Sequence, residues 1–293
     1  MNNDIGPQYS LDDSFKAAAR LHQSNYRAGV LKVGYADYGN RLNDVDGRAL
    51  LNYYDGLEVR ETLRKRYPGY SKKRDADLLR SEHIPFNLFA PLADRPDLLK
   101  NVLDEAFDLE LDGPFEMKFE WSPKPAANYL GDMTSFDAYV QGAGPNGERI
   151  GIGIEVKYTE QGYGVGESEA KRVRNQESTY WITTRESGLF VGSGCEQLAE
   201  DSLRQIWRNH LLGLAMVKRH EIERFVSVTL YPAGNKYFTL ALAKYQGKLV
   251  ASEQRSVRGC TYERYISALG GGSEIKAWKE FLLKRYLVAV HTA

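Results

Sequence analysis

Cysteine is nearly missing from this 293-residue chain, which holds only Cys195 and Cys260. Two thiols cannot staple a chain of this length, and no Cys-x-x-Cys pair exists. A disulfide framework and a cysteine zinc site are therefore excluded, and a reducing compartment is expected. Net charge is missing as well, since Lys plus Arg number 39 and Asp plus Glu number 39. Overall basicity gives no argument for a nucleic-acid partner, so any such partner must be met by a local patch. Long apolar runs are also lacking. The longest spans about seven residues, Leu211 to Val217, whereas a membrane-crossing helix needs about 20. The N-terminus, MNNDIGPQYSLDD, carries no apolar segment of the secretory kind. A cytoplasmic location without a membrane partner is expected.

Hydrophobic residues make up 42% of the chain, charged residues 27% and aromatics 12%, with 19 tyrosines. That composition excludes disorder as the main state. The length suits one elaborated α/β domain as well as two small ones. Repeats and low-complexity tracts are absent.

The chain opens with Ser10-Leu-Asp-Asp13, which offers a helix N-cap and carboxylates at the positive helix end. A helix to about Ala28 is expected, then an irregular stretch over residues 31–56. Arg60 to Arg80 is locally basic, with several acids interspersed. A phosphate-facing patch and a solvated helix face explain it equally well. Lys171, Arg172 and Arg174 form a second basic cluster.

From Asp94-Arg-Pro96 a helix with proline near its first position is predicted, its apolar stripe running from Leu98 to Phe107. Phe115–Trp121 alternates as a half-buried strand, and Thr134–Val140 and Ile150–Lys157 read as two more. Gly142-Ala-Gly-Pro-Asn-Gly147 between the last two is dense turn chemistry. Gly162–Gly194 is glycine-rich and charged, and its start, Gln161–Glu167, reads as a mobile loop. Gln197–Arg219 is the strongest helix. Phe225–Tyr231 is a fourth strand. The remainder reads helical, in pieces after Asn235, Thr261 and Ser273.

Strand side chains alternate between faces. Ile150, Ile152, Ile154 and Val156 then share a core face with Phe136, Ala138 and Val140. Gly151, Gly153, Glu155 and Lys157 share the other face with Ser135, Asp137 and Tyr139. The Gly142–Gly147 turn makes the two strands an antiparallel hairpin, with residue 137 opposite residue 154 or 155. Asp137 and Glu155 become cross-strand neighbours, their Cβ atoms about 5 Å apart. Two bare carboxylates so placed repel, unless a divalent cation sits between them or one takes a proton. The two glycines beside them are read as room for a ligand. A surface salt bridge between Glu155 and Lys157 is the plainer alternative.

Asp137 followed on the next strand by Glu155-Val156-Lys157 resembles the PD-(D/E)XK nuclease superfamily, the restriction-endonuclease-like fold. The order helix, strand, strand, strand, helix, strand matches that family's core. Ser81-Glu-His-Ile-Pro-Phe-Asn-Leu-Phe89, Thr134–Asp137, Ile154–Glu160 and Gln205–Leu212 are similar to a bacterial branch assigned to restriction endonucleases. Phe136 stands at the proline of the family name, and Pro85 interrupts what the branch keeps as a helix. The resemblance implies an α/β fold, a mixed sheet flanked by helices in αβββαβ order. The core would span residues 76–232, with an N-terminal extension over 1–75 and a C-terminal helical extension over 233–293, all in one globular unit.

The same resemblance implies a nuclease that hydrolyses DNA phosphodiester bonds, in restriction or phage defence. A repair or recombination nuclease acting on single strands or ends, and an inert nucleic-acid-binding protein on this fold, are the alternatives. Asp137, Glu155 and the Val156 carbonyl would bind Mg²⁺ or Mn²⁺, with Glu82 as a further ligand. Lys157 would orient the attacking water, and Gln205 would face the cleft with Arg208 and Asn209 nearby. Duplex cleavage at a palindrome would favour a homodimer by symmetry. Glu120 alternates with Phe119 and Trp121 and is a weaker candidate for the same cleft. Gln176 and Tyr180 imitate a Gln-x-x-x-Tyr element and rank below Gln205. His210 falls on an apolar helix side as a packed core histidine, and His22, His83, His220 and His291 have no metal-ligand spacing.

Overall fold

A computed structural model describes residues 4–162, 164–192 and 195–288, so His291 and Tyr163 of the expected loop lie outside the described residues. In chain order the helices α1 (Ser14–Tyr26), α2 (Asp44–Arg48), α3 (Val59–Arg66), α4 (Ile84–Phe89) and α5 (Pro96–Phe107) come first. Strands β1 (Asp112–Trp121), β2 (Phe136–Ala143) and β3 (Arg149–Val156) follow. Then come α6 (Glu167–Arg174), α7 (Thr179–Ser187), α8 (Arg204–Lys218), β4 (Arg224–Tyr231) and α9 (Lys236–Gln246). The chain ends with β5 (Val257–Thr261), α10 (Tyr262–Ala268) and α11 (Lys276–Tyr286).

The helix starts have local causes. Asp13, at the end of the Ser10–Asp13 run, caps α1 by accepting from the Lys16 N–H at 2.9 Å. Pro96 opens α5. Pro85 does not interrupt its helix as expected. It sits in the first turn of α4, where a missing N–H costs nothing.

The five strands form one sheet in the order β1-β2-β3-β4-β5. β1, β2 and β3 pair antiparallel, whereas β3, β4 and β5 run parallel. The sheet is mixed, as expected, but β5 lies where the sequence reads as helix. Val257-Arg-Gly-Cys-Thr261 is too short, and too interrupted by glycine, to show alternation.

Helices cover both faces of the sheet, the usual requirement where parallel strands occur. One layer holds Ile150, Ile152, Ile154, Val156, Ala138 and Val140 against α5, α10 and α11. The other holds Tyr139, Phe225 and Tyr231 against α7, α8 and α9. Two expectations are corrected here. Phe136, at the first position of β2, packs in the second layer, stacked on Tyr139 at 5.7 Å and tilted on Phe225 at 5.6 Å. Gly151 and Gly153 leave room for aromatic rings, not for a ligand. A Cβ on Gly153 would lie 2.4 Å from the Phe136 ring, and one on Gly151 would lie 2.7 Å from Ile222 and 2.8 Å from the Tyr139 hydroxyl. Gly213 of α8 is held in the same way, since a Cβ there would meet the Phe225 ring at 2.0 Å.

Buried polar side chains tie the chain ends to the sheet. Gln23 of α1 donates to the Tyr158 hydroxyl at 2.6 Å and to the Arg285 carbonyl at 2.7 Å. Arg285 donates to Asn52, and Asn87 donates to the Tyr286 hydroxyl, both at 2.7 Å. The Tyr262 hydroxyl reaches the Lys157 carbonyl at 2.6 Å, so this layer ends directly behind the Glu-x-Lys segment.

Candidate active site

The hairpin register is Ala138 opposite Ile154, which sets Asp137 opposite Glu155. The Asp137 carboxylate accepts from the Val156 N–H at 2.7 Å, so it lies across the strand pair and not out into solvent. On β1, Phe119 pairs with Ala138 and Trp121 with Phe136, which sets Glu120 opposite Asp137. Glu120, Asp137 and Glu155 thus form one row over three strands. Glu120 has φ of 47°, a left-handed conformation rare for such a residue. Non-glycine residues held this way cluster at functional sites.

Lys157 turns its ammonium back onto Glu155, with Nζ 2.6 Å from Oε1. The pair exists as the plainer alternative foresaw, yet it is not a surface pair, because Glu155 is 7% exposed and Lys157 9%. Gln205, in the first turn of α8, donates its amide to the same Oε1, and Asn209, one turn on, donates to Oε2 at 2.7 Å. The four-residue spacing places both amides on one helix face. Three donors therefore hold the Glu155 carboxylate from two directions.

This crowding sets the electrostatics. Burial pushes the Asp137 carboxyl well above the usual carboxylate range, and the charges of Glu155 and Glu120 push it further. Burial first, then Glu155, raises Glu120 to about 7, with Arg66 opposing. Burial would depress the Lys157 ammonium, but Glu155, Asp137 and Glu160 outweigh it and hold it above its ordinary value. Lys157 is thus a fixed cation at neutral pH. It can hold an anion or donate a hydrogen bond, but it is not available as a base.

A cavity of about 670 Å³ opens over this row and is lined by Glu82, Asp137, Glu155, Lys157, Gln205 and Arg208. The sequence candidates meet there, with distinctions. Glu82 faces the cavity but lies 3.0 Å from Arg80, in an ion pair. Val156 brings only its peptide, since its side chain belongs to the opposite core layer. Arg208 is anchored to Thr134 at 2.9 Å and to Glu169 at 3.0 Å. Among the described residues, no three His, Cys, Asp or Glu side chains gather as a metal site. The hard oxygen donors on hand are Asp137, Glu155 and the peptide between Glu155 and Lys157.

Other candidates are placed elsewhere. Gln176 is exposed, and the Tyr180 hydroxyl is spent on Asp132, so that pair does not reach the cleft. His210 is buried against Tyr245 at 3.0 Å. Half of the cations of the Arg60–Arg80 patch are consumed internally. Arg60 pairs with Asp55, Arg74 with the buried Asp75, and Arg66 donates to the Phe119 and Glu120 carbonyls. Arg64, Lys65, Lys72 and Lys73 remain exposed. Asp13 and Lys16 line the cavity and were not anticipated. They arrive through a bond from Gln161 to Asp13 at 3.1 Å, spanning 148 positions, which no local spacing signals. Glu160, which accepts from the Ser81 and Tyr158 N–H groups, lines it too.

A family model described as the PD-(D/E)XK nuclease superfamily matches residues 10–288, nearly the whole chain. The chain belongs to the PD-(D/E)XK nuclease superfamily. No curated protein and no solved structure matches it. Among the described residues no helix is long and apolar enough to cross a membrane.

Proposed function

We propose that this chain hydrolyses DNA phosphodiester bonds as a divalent-metal-dependent endonuclease of the restriction or phage-defence kind. One observation carries the reading: Asp137 faces Glu155 across a strand pair, with the Lys157 ammonium 2.6 Å from Glu155, at the floor of an open cavity. The donor set fits Mg²⁺ or Mn²⁺. Asp137, Glu155 and the Val156 carbonyl are hard oxygen ligands, and Mg²⁺ needs few of them because it keeps several waters. A divalent cation would also relieve the repulsion from Glu155 and Glu120 that adds to burial in raising Asp137. Glu82 is a further ligand once released from Arg80. Bound there, the ion supplies charge for the scissile phosphate and acidifies a water.

The chain's own residues do the rest. Gln205 and Asn209 fix the rotamer of Glu155. The Val156 N–H aims Asp137. Lys157 holds the attacking water in place and stabilises negative charge on the phosphate oxygens as the P–O bond breaks. Arg208, anchored on α8 at the cavity wall, meets a flanking phosphate.

Incubation with plasmid DNA tests this. Mg²⁺ or Mn²⁺ should give nicked or linear product whose ends run-off sequencing locates, and EDTA should abolish it. Intact plasmid under both metals, or full cleavage in EDTA, overturns the reading. Digestion of single strands or ends alone would move the protein to repair or recombination.

A further inference from the structure

A second concentration of charge lies at the β5 edge of the sheet. A cavity of about 630 Å³ opens between the C-terminus of α5 and α9, lined among others by Asp108, Gln254, Arg255, Arg258 and Arg264. It lies two strands from β3, about 10 Å across the sheet, and shares no lining residue with the cleft. Three guanidinium groups meet one carboxylate there, in a chain with zero net charge.

Asp108 is already committed. It ends α5 in a left-handed conformation, and its carboxylate receives Arg264 at 2.6 Å. Arg258 is fixed by main-chain acceptors. Its Nη1 donates to the Phe107 and Asp108 carbonyls, which the end of a helix leaves without helical partners, and its Nε donates to the Arg255 carbonyl at 2.8 Å. Burial lowers the Arg258 guanidinium, Asp108 opposes this, and Arg224, Arg255 and Arg264 lower it further. Among the described residues, neither the Arg258 Nη2 nor the Arg255 side chain makes a hydrogen bond or ion pair, and Arg255 is exposed. Positive charge here exceeds what the protein itself neutralises, and two of the three groups are already immobilised, Arg258 by carbonyls and Arg264 by Asp108 and the Glu105 carbonyl at 2.7 Å. Guanidinium forks held in this way match the oxygens of a phosphate.

We propose that this edge cavity binds a phosphate group, its oxygens taken by Arg255, Arg258 and Arg264. The phosphate comes either from the backbone of a nucleic acid or from a small phosphorylated molecule. The site does not depend on the nuclease reading, because binding there needs neither metal nor cleavage.

Isothermal titration of the full chain with pyrophosphate tests it against Arg255→Gln and the double variant Arg255→Gln/Arg264→Gln. Both residues are exposed, so thermal unfolding should hardly move. Wild type should bind, and the double variant should bind at least about tenfold more weakly, the loss of one charge-assisted bond. Titration of a 20-base-pair duplex in Ca²⁺ then separates the sources. A salt slope lower by about 0.9 for each lost phosphate contact assigns the site to nucleic-acid backbone. Unchanged duplex binding with lost pyrophosphate binding assigns it to a small phosphorylated molecule. No pyrophosphate binding by wild type, or equal binding by wild type and variants, overturns the proposal. Asp137→Asn should keep pyrophosphate binding, so failure of the nuclease reading would leave this result legible.

Discussion

The two ends of one face of β3 are built for opposite purposes. At Gly151 and Gly153 the face has no side chains, and the rings of Phe136, Tyr139 and Phe225 fill the space beneath Gly213 of α8. At Glu155, two residues on, the same face is polar and lies beneath Gln205 and Asn209 of the same helix. One strand packed against one helix therefore passes from dry core to charged cleft within two turns. The aromatic end fixes how closely α8 approaches, and that approach brings its two amides to the carboxylate. The glycines serve the chemistry only indirectly, by setting this distance.

The largest break in the comparison is expected at the polar end. Asp137→Asn or Glu155→Gln should lower single-turnover cleavage of DNA by several orders of magnitude. Asp137→Asn should leave the melting temperature unchanged or higher, because it removes a buried carboxylate crowded by Glu155 and Glu120. Near-normal cleavage by either variant would move the chemistry elsewhere in the chain.

Lys157→Ala comes next, with a loss of about 10²- to 10³-fold in kcat, as for other donors that stabilise developing charge. DNA affinity in Ca²⁺ should persist. Because the Glu155–Lys157 pair is buried, stability should fall as well, by at most about 3–5 kcal/mol, and by less where Gln205 and Asn209 still hold the carboxylate. Cleavage that survives in proportion to the folded protein would reduce Lys157 to a structural partner.

Gly153→Ala probes the aromatic end. The added methyl group must displace the Phe136 ring, which should cost about 1–3 kcal/mol on a denaturant titration while the folded fraction still cuts. An unchanged midpoint would sink the packing explanation.

The smallest effect concerns pH. His210, on α8 one residue after Asn209, is lowered to about 3 by burial. A lowered histidine is stabilising while neutral. That contribution is complete above about pH 6.5 and is lost as pH falls towards 3, by up to about 1.4 kcal/mol per pH unit. Glu120, raised from 4.5 to about 7, has the opposite sign and loses stability as pH rises through that window. Between pH 6.5 and 5, wild type should therefore lose up to about 2 kcal/mol more than His210→Phe in paired melts. Parallel curves for the two proteins would show that His210 does not titrate in this range.

Much of this is legible in the sequence, and for local reasons. Alternation over Ile150–Lys157 and the Gly142–Gly147 turn were enough to set Asp137 beside Glu155, because a slip of one residue would expose four β-branched side chains. The four-residue spacing of Gln205 and Asn209 on a strong helix placed them on one face, but their target lay 50 and 54 positions away and could not be read. β5 escaped because five residues with a glycine carry too few periods to signal a strand. The purpose of Gly151 and Gly153 was misread, since only the far side of the contact shows what fills the space above a glycine.

The sequence alone determined the order of the first four strands, the two faces of β3 and the pair Asp137–Glu155, because each follows from the period of the backbone within one stretch of chain. Tertiary structure decided the rest. It buried the Glu155–Lys157 pair, turned Glu120 towards Asp137, carried Asp13 and Lys16 to the cavity and spent half of the Arg60–Arg80 cations on internal partners. Those outcomes depend on which distant surfaces meet and exclude water, and burial and pairing are properties of that meeting, not of any segment within it.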